Sequence, residues 1–218
     1  MVSDFFKIVF IHIPKTGGTS IEKVFWPLSF MKSEKNLFGG FINDYENKYQ
    51  TGGLQHLKWY QIFQEIGDRK FNDYYKFSIV RNPYDKAVSQ YEYLKKRNDL
   101  LHYINAKSDL TFLEYCEKIN SFSHVQWEPQ HNFVFDKATD EFKANRIIKL
   151  EDINTDFQEL RKDVVSRNKL YGIFVPNKLP HLNKSRRKNF KKYYCSKTYD
   201  LITTKYSKDL KLLDYQFD

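Results

Sequence analysis

A strand, a glycine-containing loop and a helix are predicted one after another near the start of the chain, and this order constrains the fold more than any other feature. Residues 7–13 (KIVFIHI) are mostly apolar and β-branched or aromatic, and Pro14 follows them, as expected for a buried strand. After the loop PKTGG, apolar residues recur at helical spacing as far as Pro27, and Thr19 with Glu22 fits a capping box at the helix start. A strand that leads through a tight loop into a helix is typical of α/β proteins.

Strands and helices continue to alternate along the chain. Two further strands are predicted at 74–80 and 146–150. Helices are predicted over residues 56–66, 83–97, 111–119, 153–165 and 196–213. The third of these begins with a capping box formed by Thr111 and Glu114. Because 218 residues is the size of one large domain, we predict a single α/β domain over residues 1–218, with a largely parallel central sheet flanked by helices.

The loop PKTGG has the composition of a phosphate-binding loop. Gly17 and Gly18 let the main chain approach an anion closely. Thr19 and Ser20 add hydroxyl donors where the positive end of the helix dipole favours negative charge. Lys15 precedes the glycines, whereas a Walker A motif places its lysine after them, so a P-loop nucleotide kinase is the weaker alternative. A plain glycine turn with a surface lysine is the other alternative.

Two segments in combination resemble a known enzyme family. Residues 12–20 (HIPKTGGTS) resemble the 5′-phosphosulfate loop of carbohydrate sulfotransferases related to the heparan sulfate 2-O and 6-O enzymes, which use 3′-phosphoadenosine 5′-phosphosulfate (PAPS). Residues 77–91 (FSIVRNPYDKAVSQY) resemble that family's element for the 3′-phosphate, in which an Arg and a Ser eight residues later make the contacts. Here these are Arg81 and Ser89. Lys86 stands where the family often has a second Arg, which keeps the charge without the planar donor fork.

The resemblance extends through later blocks to nearly the whole chain. It implies a P-loop-like sulfotransferase fold, PAPS as the sulfuryl donor, PAP as the product and no required metal. It also implies that Lys15 stabilises the leaving phosphate and that His56, in a segment similar to the family's Gly/His segment, takes the proton of the acceptor hydroxyl. Glu22 and Glu46 are the carboxylate alternatives for this base. The implied donor-binding residues are Lys15, Thr16, Gly17, Gly18, Thr19, Ser20, Arg81, Ser89, Asn183, Lys184, Ser185 and Arg186.

The acceptor is predicted to be a hydroxyl-bearing saccharide. His124 and His131 flank the sequence WEPQ and are candidates for the acceptor cleft, whereas His12 lies on a predicted strand and is interpreted as structural. The aromatic side chains that could stack on a sugar are Trp59, Tyr60 and Trp127.

Charge is concentrated in one segment of the chain. The formal net charge is +9, and residues 181–197 contain seven basic residues and no acid, which indicates a local anionic partner or, equally, a solvated basic face. Over residues 190–194 (FKKYY) basic and aromatic residues interleave, as in some nucleic-acid-binding proteins. Because aromatic residues are spread over every predicted element, we expect most of them in the core and predict no nucleic-acid partner.

Several other classes of protein are not favoured. Cys116 and Cys195 lack CxxC or Cys/His ligand spacing, so we expect neither a disulfide scaffold nor a structural zinc site. No apolar run approaches the ~18 residues that a membrane-spanning helix needs. Residues 1–10 lack the basic start and apolar stretch of a signal peptide, so we expect a cytoplasmic location.

Overall fold

A computed structural model of the chain describes residues 1–28, 31–38, 53–180 and 188–217. The strands are β1 (Val2–Ser3), β2 (Ile8–Ile11), β3 (Tyr75–Val80) and β4 (Arg146–Lys149). The helices are α1 (Thr19–Phe25), α2 (Trp59–Ile66), α3 (Asp68–Asp73), α4 (Pro83–Leu94), α5 (Asn98–Tyr103), α6 (Phe112–Ser121), α7 (His131–Val134), α8 (Ile153–Arg167), α9 (Tyr171–Phe174), α10 (Ser196–Lys205) and α11 (Ser207–Leu212).

The chain forms two compact units. The first contains Met1–Val80 and Asn132–Lys184, and the second contains Arg81–His131 and Ser185–Asp218. The single domain expected over residues 1–218 stays a prediction.

The first unit is built on a four-stranded sheet with the strand order β1-β2-β3-β4. Strand β1 pairs antiparallel with β2, whereas β2 with β3 and β3 with β4 pair in parallel. The three strands predicted from the sequence are confirmed, and the two-residue β1 is an addition that its length hides from pattern analysis. The protein is therefore mixed α/β with a small sheet, of which two of the three strand pairs are parallel.

The core of the first unit explains why β2 is a continuous apolar run. Every residue of β2 is fully buried, and Phe10 stacks on Phe77 of β3 with ring centroids 5.1 Å apart. A strand covered on both faces by other elements needs no polar alternation. Ser78 Oγ, also buried, donates a 2.6 Å hydrogen bond to the Ile11 carbonyl oxygen at the end of β2.

The structure corrects two details of the predicted helices in this unit. Gly18 is the N-cap of α1 and makes no side-chain cap, so the capping box of Thr19 with Glu22 is wrong. The helix predicted over 56–66 is preceded by a 3-10 turn at Leu54–His56 and begins only at Trp59. It ends at Gly67 as expected, and α3 follows directly.

The second unit is a helical bundle around an aromatic core. Its largest fully buried side chains include Tyr84, Tyr115, Trp127 and Tyr206. The predicted capping box before α6 is confirmed, because Glu114 N–H donates to Thr111 Oγ1 and Thr111 N–H donates to Glu114 Oε2.

The helix predicted over 196–213 is two helices, α10 and α11. Tyr206 interrupts it with a non-helical backbone (φ −109, ψ 20). The Tyr206 hydroxyl reaches into the core and donates a 2.9 Å hydrogen bond to the Trp127 carbonyl oxygen. Tertiary packing therefore overrides the helical pattern at this residue. In the described ranges, no helix is long and apolar enough to cross a membrane.

Candidate functional site

The loop between β2 and α1 has a backbone of alternating hand. Lys15 adopts the left-handed conformation (φ 66), as does Gly17 (φ 87), whereas Gly18 is right-handed (φ −55). A side chain at Gly17 would also place its Cβ 2.7 Å from Leu150 Cδ1. Such alternation turns successive main-chain N–H groups toward one concave side, which is a common way to bind an anion.

The main-chain N–H groups of this loop lack partners in the main chain. Within the part of the chain that the structure describes, residues 16–19 donate no main-chain hydrogen bond. The next N–H group, of Ser20, donates to the Gly17 carbonyl oxygen at 3.3 Å. Four successive donors without a protein acceptor match the oxygen-rich surface of a phosphate or sulfate group.

The hydroxyl groups predicted at the loop differ in direction and exposure. Thr16 is fully buried, and its hydroxyl donates a 2.9 Å hydrogen bond to the Ile13 carbonyl oxygen. Thr19 is exposed, whereas Ser20 is buried. Thr16 is therefore packed within the loop, and Thr19 is the residue with a solvent-accessible hydroxyl.

His12 lies directly beneath the loop. Its Nε2 atom occupies the place of a side chain at Gly18, since a Cβ added there would lie 2.2 Å away. His12 Nδ1 is 3.4 Å from Glu22 Oε1, which is an ion-pair distance without hydrogen-bond geometry. Burial, together with the nearby His56, lowers the pKa of His12 well below its ordinary value. His12 is therefore a neutral, buried ring, in agreement with its predicted structural role.

His56 is held by the main chain at His12. The Nδ1 atom of His56 lies 3.0 Å from the His12 carbonyl oxygen, and the two rings are 4.6 Å apart between centroids. Because a carbonyl oxygen only accepts, Nδ1 carries the proton of the neutral imidazole. The proton-accepting lone pair is then on Nε2. This tautomer is the one required of a base that is oriented through Nδ1.

Glu22, an alternative base, is partly buried beside His12. Burial raises the pKa of its carboxyl group. Its contact with the buried His12 places it in the packing below the loop. Glu46, the other carboxylate alternative, lies outside the described residues.

In the second unit, Arg81 directly follows Val80, the last residue of β3, as predicted. Its side chain is 11% exposed and makes a paired interaction with Asp85, with Nε at 2.8 Å and Nη2 at 2.6 Å from Oδ2. Ser89 is half-buried on α4, two turns into the helix. Lys86 is 1% exposed, and burial lowers its pKa to about 8, so it contributes a buried rather than a surface cation.

Several other predicted residues lie in different surroundings from those expected. Trp127 is 2% exposed and donates to the Phe122 carbonyl oxygen, so its prediction as a sugar-stacking face is wrong. Trp59 and Tyr60 keep partial exposure. His124 accepts a hydrogen bond from Gln126 N–H, and His131 Nδ1 pairs with Asp209 Oδ1 at 2.7 Å.

In the basic and aromatic segment after residue 187, the lysines and the aromatic residues differ in exposure. Lys191 and Lys192 are exposed, whereas Phe190, Tyr193 and Tyr194 pack against the core of the second unit. These rings are thus occupied in packing, which does not favour the nucleic-acid-binding alternative. The predicted donor-binding residues Asn183, Lys184, Ser185 and Arg186 lie outside the described residues.

Cysteine and metal chemistry are not prominent in the described structure. Cys116 is buried and Cys195 exposed, and both are free thiols. No cluster of three or more His, Cys, Asp and Glu side chains in the described ranges is placed to hold a metal ion.

Comparison with known proteins connects this geometry to a family. A sequence model of the sulfotransferase family matches residues 1–216. The chain belongs to the sulfotransferase family. Carbohydrate sulfotransferase 10 of Xenopus laevis is 32% identical to this sulfotransferase over 92 residues, which are 42% of the chain and 24% of that protein. The match thus spans about a quarter of that relative's length. No solved structure matches this sulfotransferase significantly.

Family membership confirms the resemblance drawn from residues 12–20 and 77–91 and supports sulfotransfer activity. It does not support the nucleotide kinase alternative. Two buried residues that contact these segments or each other, Gln130 and Asp209, were not predicted as site residues, because their contacts join distant parts of the chain.

Proposed function

We propose that this sulfotransferase transfers a sulfuryl group from PAPS to a hydroxyl of a saccharide. The proposal rests on one arrangement of residues. The main-chain N–H groups of residues 16–19 donate no main-chain hydrogen bond, and His12, which packs against Gly18, orients the ring of His56 through its carbonyl oxygen. The first feature suits an anionic donor, and the second suits proton removal from a hydroxyl.

The loop residues fit the anionic end of the proposed donor. The N–H groups of residues 16–19, the Thr19 hydroxyl and the Lys15 ammonium would hold it. When bound, PAPS supplies the sulfuryl group, and PAP remains as the product. The positive charge of Lys15 at the loop would stabilise the negative charge that develops during transfer.

His56 is the proposed base. Its Nδ1 proton is committed to the His12 carbonyl oxygen, so Nε2 would accept the proton of the acceptor hydroxyl. The neutral imidazole is the form needed at the start of the reaction, because only a ring nitrogen without a proton can accept one.

Arg81 and Ser89 are proposed to bind the 3′-phosphate, as the resemblance implies. The planar fork of Arg81 is already held in one orientation by Asp85, which suits a group that must meet a phosphate in a fixed direction. The loop at Asn183, Lys184, Ser185 and Arg186 is proposed to bind the donor on the family resemblance alone.

The saccharide acceptor is proposed because the matched relative is a carbohydrate sulfotransferase. Trp59 and Tyr60 are the partly exposed aromatic side chains that remain candidates for stacking on a sugar ring. The cytoplasmic location stays a prediction from the sequence.

Binding of PAP tests the donor. A ligand that binds only the native state stabilises it by mass action, by about 2.7 kcal/mol at a concentration of 100 times Kd. We expect PAP to raise the melting temperature more than adenosine 5′-phosphate does. No shift at millimolar PAP would remove the proposal. Transfer of label from PAPS to a panel of saccharides then tests the acceptor.

Substitution of Lys15 and His56 tests their separate roles. His56→Ala should keep PAP affinity while turnover falls by about 10² to 10⁴, because it removes only the base. Lys15→Ala should lower both PAP affinity and turnover, the latter by about 10² to 10³. Lys7→Ala is the matched control, since Lys7 is exposed and has the same left-handed backbone (φ 50). Near-normal turnover of His56→Ala would refute the base assignment.

A further inference from the structure

The side-chain amide of Gln130 clamps the main chain at Arg81. Gln130 Oε1 accepts a 2.9 Å hydrogen bond from Arg81 N–H, and Gln130 Nε2 donates a 2.7 Å bond to the Arg81 carbonyl oxygen. Gln130 is fully buried. In an antiparallel sheet, a residue of the neighbouring strand would make these two hydrogen bonds to the Arg81 main chain. Here the side chain of Gln130 makes both of them, at the residue that follows β3. The direction in which Arg81 leaves the main chain is thereby fixed.

Gln130 is in turn held by a buried carboxylate. Asp209 is fully buried and accepts hydrogen bonds from Gln130 N–H at 2.7 Å, from His131 N–H at 2.8 Å and from His131 Nδ1 at 2.7 Å. The buried Lys86 also lies within electrostatic reach of Asp209. A carboxylate removed from water is tolerated when donors and an opposite charge surround it in this way. The Gln130 main chain is therefore anchored independently of its side chain.

Both ends of Arg81 are then fixed by buried or half-buried groups. Gln130 holds the main chain, and Asp85 holds Nε and Nη2 of the guanidinium. A planar fork discriminates a phosphate only when its position and its plane are both set beforehand. We propose that Gln130, anchored by Asp209, is a positioning residue through which Arg81 recognises the 3′-phosphate of the nucleotide. This inference rests on the proposed function.

The test measures selectivity for the 3′-phosphate, as the ratio of the Kd for adenosine 5′-phosphate to the Kd for PAP. Gln130→Leu removes both hydrogen bonds at similar side-chain volume. We expect this ratio to fall about tenfold, the order of one lost charged hydrogen bond. In an Arg81→Ala background, Gln130→Leu should change the ratio no further, because the residue that it positions is already absent. Isothermal titration of each variant with both nucleotides gives the values.

Gln126→Leu is the matched control. Gln126 is a half-buried glutamine of the same segment, and its side-chain oxygen has no hydrogen-bond partner among the described residues. Its ratio should equal that of the unchanged protein. If Gln130→Leu does not fold, Gln130→Asn, whose amide is one methylene shorter, is measured in its place.

The outcomes separate this inference from the proposed function. If the unchanged protein does not bind PAP, the proposed function fails. If it binds PAP and the Gln130 variant keeps the full ratio, or loses affinity for both nucleotides equally, the positioning role is overturned and Gln130 only stabilises the fold.

Discussion

Replacement of Gly18 by Ala should damage this protein through a single added methyl group. The Cβ would lie 2.2 Å from His12 Nε2, whereas non-bonded heavy atoms rest about 3.5 to 4.0 Å apart. The His12 ring would have to move by more than about 1 Å. Gly18 has right-handed backbone angles, so the change adds no backbone strain of its own.

The ring of His12 has little room to move. It is 7% exposed, stacks on Phe10 at 5.1 Å and contacts His56 at 4.6 Å between centroids. Overpacking of this kind typically costs about 1 to 3 kcal/mol of the free energy of unfolding. Because the His12 ring contacts His56, its displacement should also disturb His56, and turnover should fall by up to about 10² for a misplacement near 1 Å.

Urea unfolding of five variants isolates the clash: Gly18→Ala, Gly67→Ala, His12→Ala and the double variants of His12→Ala with each glycine change. Gly67→Ala is the control for backbone strain, since Gly67 has φ 78 and no atom within 4 Å of an added Cβ. The cost of Gly67→Ala should come from its backbone (φ 78, ψ 162) and should persist in a His12→Ala background, whereas the cost of Gly18→Ala comes from the clash. In a His12→Ala background, which empties the contested space, Gly18→Ala should cost almost nothing more. The reasoning is refuted if Gly18→Ala leaves stability within about 0.5 kcal/mol of the original, or if the double variant with Gly18→Ala shows no relief.

Three further changes have defined outcomes. Arg81→Lys keeps the charge without the planar fork, so its PAP affinity, measured by titration, should lie between those of the unchanged protein and Arg81→Ala; equality with either would contradict this. Burial lowers the pKa of His124 from 6.5 to about 4, so the unfolded chain takes up this proton first and the free energy of unfolding should fall as the pH drops from about 6.5 to 4. His124→Asn keeps an acceptor for the turn and should make the free energy of unfolding, measured by urea at each pH, depend less on pH over this range; an unchanged pH dependence would contradict this. Thr111→Ala removes the cap of α6 and should lower stability by about 1 kcal/mol in thermal unfolding, with no effect on PAP binding.

The local sequence pattern was sufficient to predict the strands β2, β3 and β4 and the loop between β2 and α1. The apolar runs that form β2 and β3 are almost wholly buried, and β4 contributes the buried Ile148; short apolar runs of this kind are recognisable in the sequence. Arg81 could be placed at the end of β3 because Pro83 forces a change of structure there.

The features that the sequence did not predict, at the start of α1 and between α10 and α11, depend on contacts between residues that are distant in the chain. The capping box at Thr19 fails because Gly18 is the N-cap of α1, and Glu22 instead lies beside His12, whose ring fills the place of a side chain at Gly18. The break at Tyr206 depends on a hydrogen bond to Trp127, 79 residues earlier in the chain. Neither contact leaves a local signal, because each follows from the packed arrangement of elements and not from neighbouring residues.

At Lys15 the backbone conformation lowers the stability of the protein, whereas the side chain serves its proposed activity. A side chain in this conformation costs roughly 1 to 2 kcal/mol relative to glycine. Lys15→Gly should therefore make the protein harder to unfold while removing the cation proposed to assist transfer. A thermostability screen without an activity step would enrich this change, so directed evolution of this sulfotransferase would have to select for turnover at every round to keep Lys15.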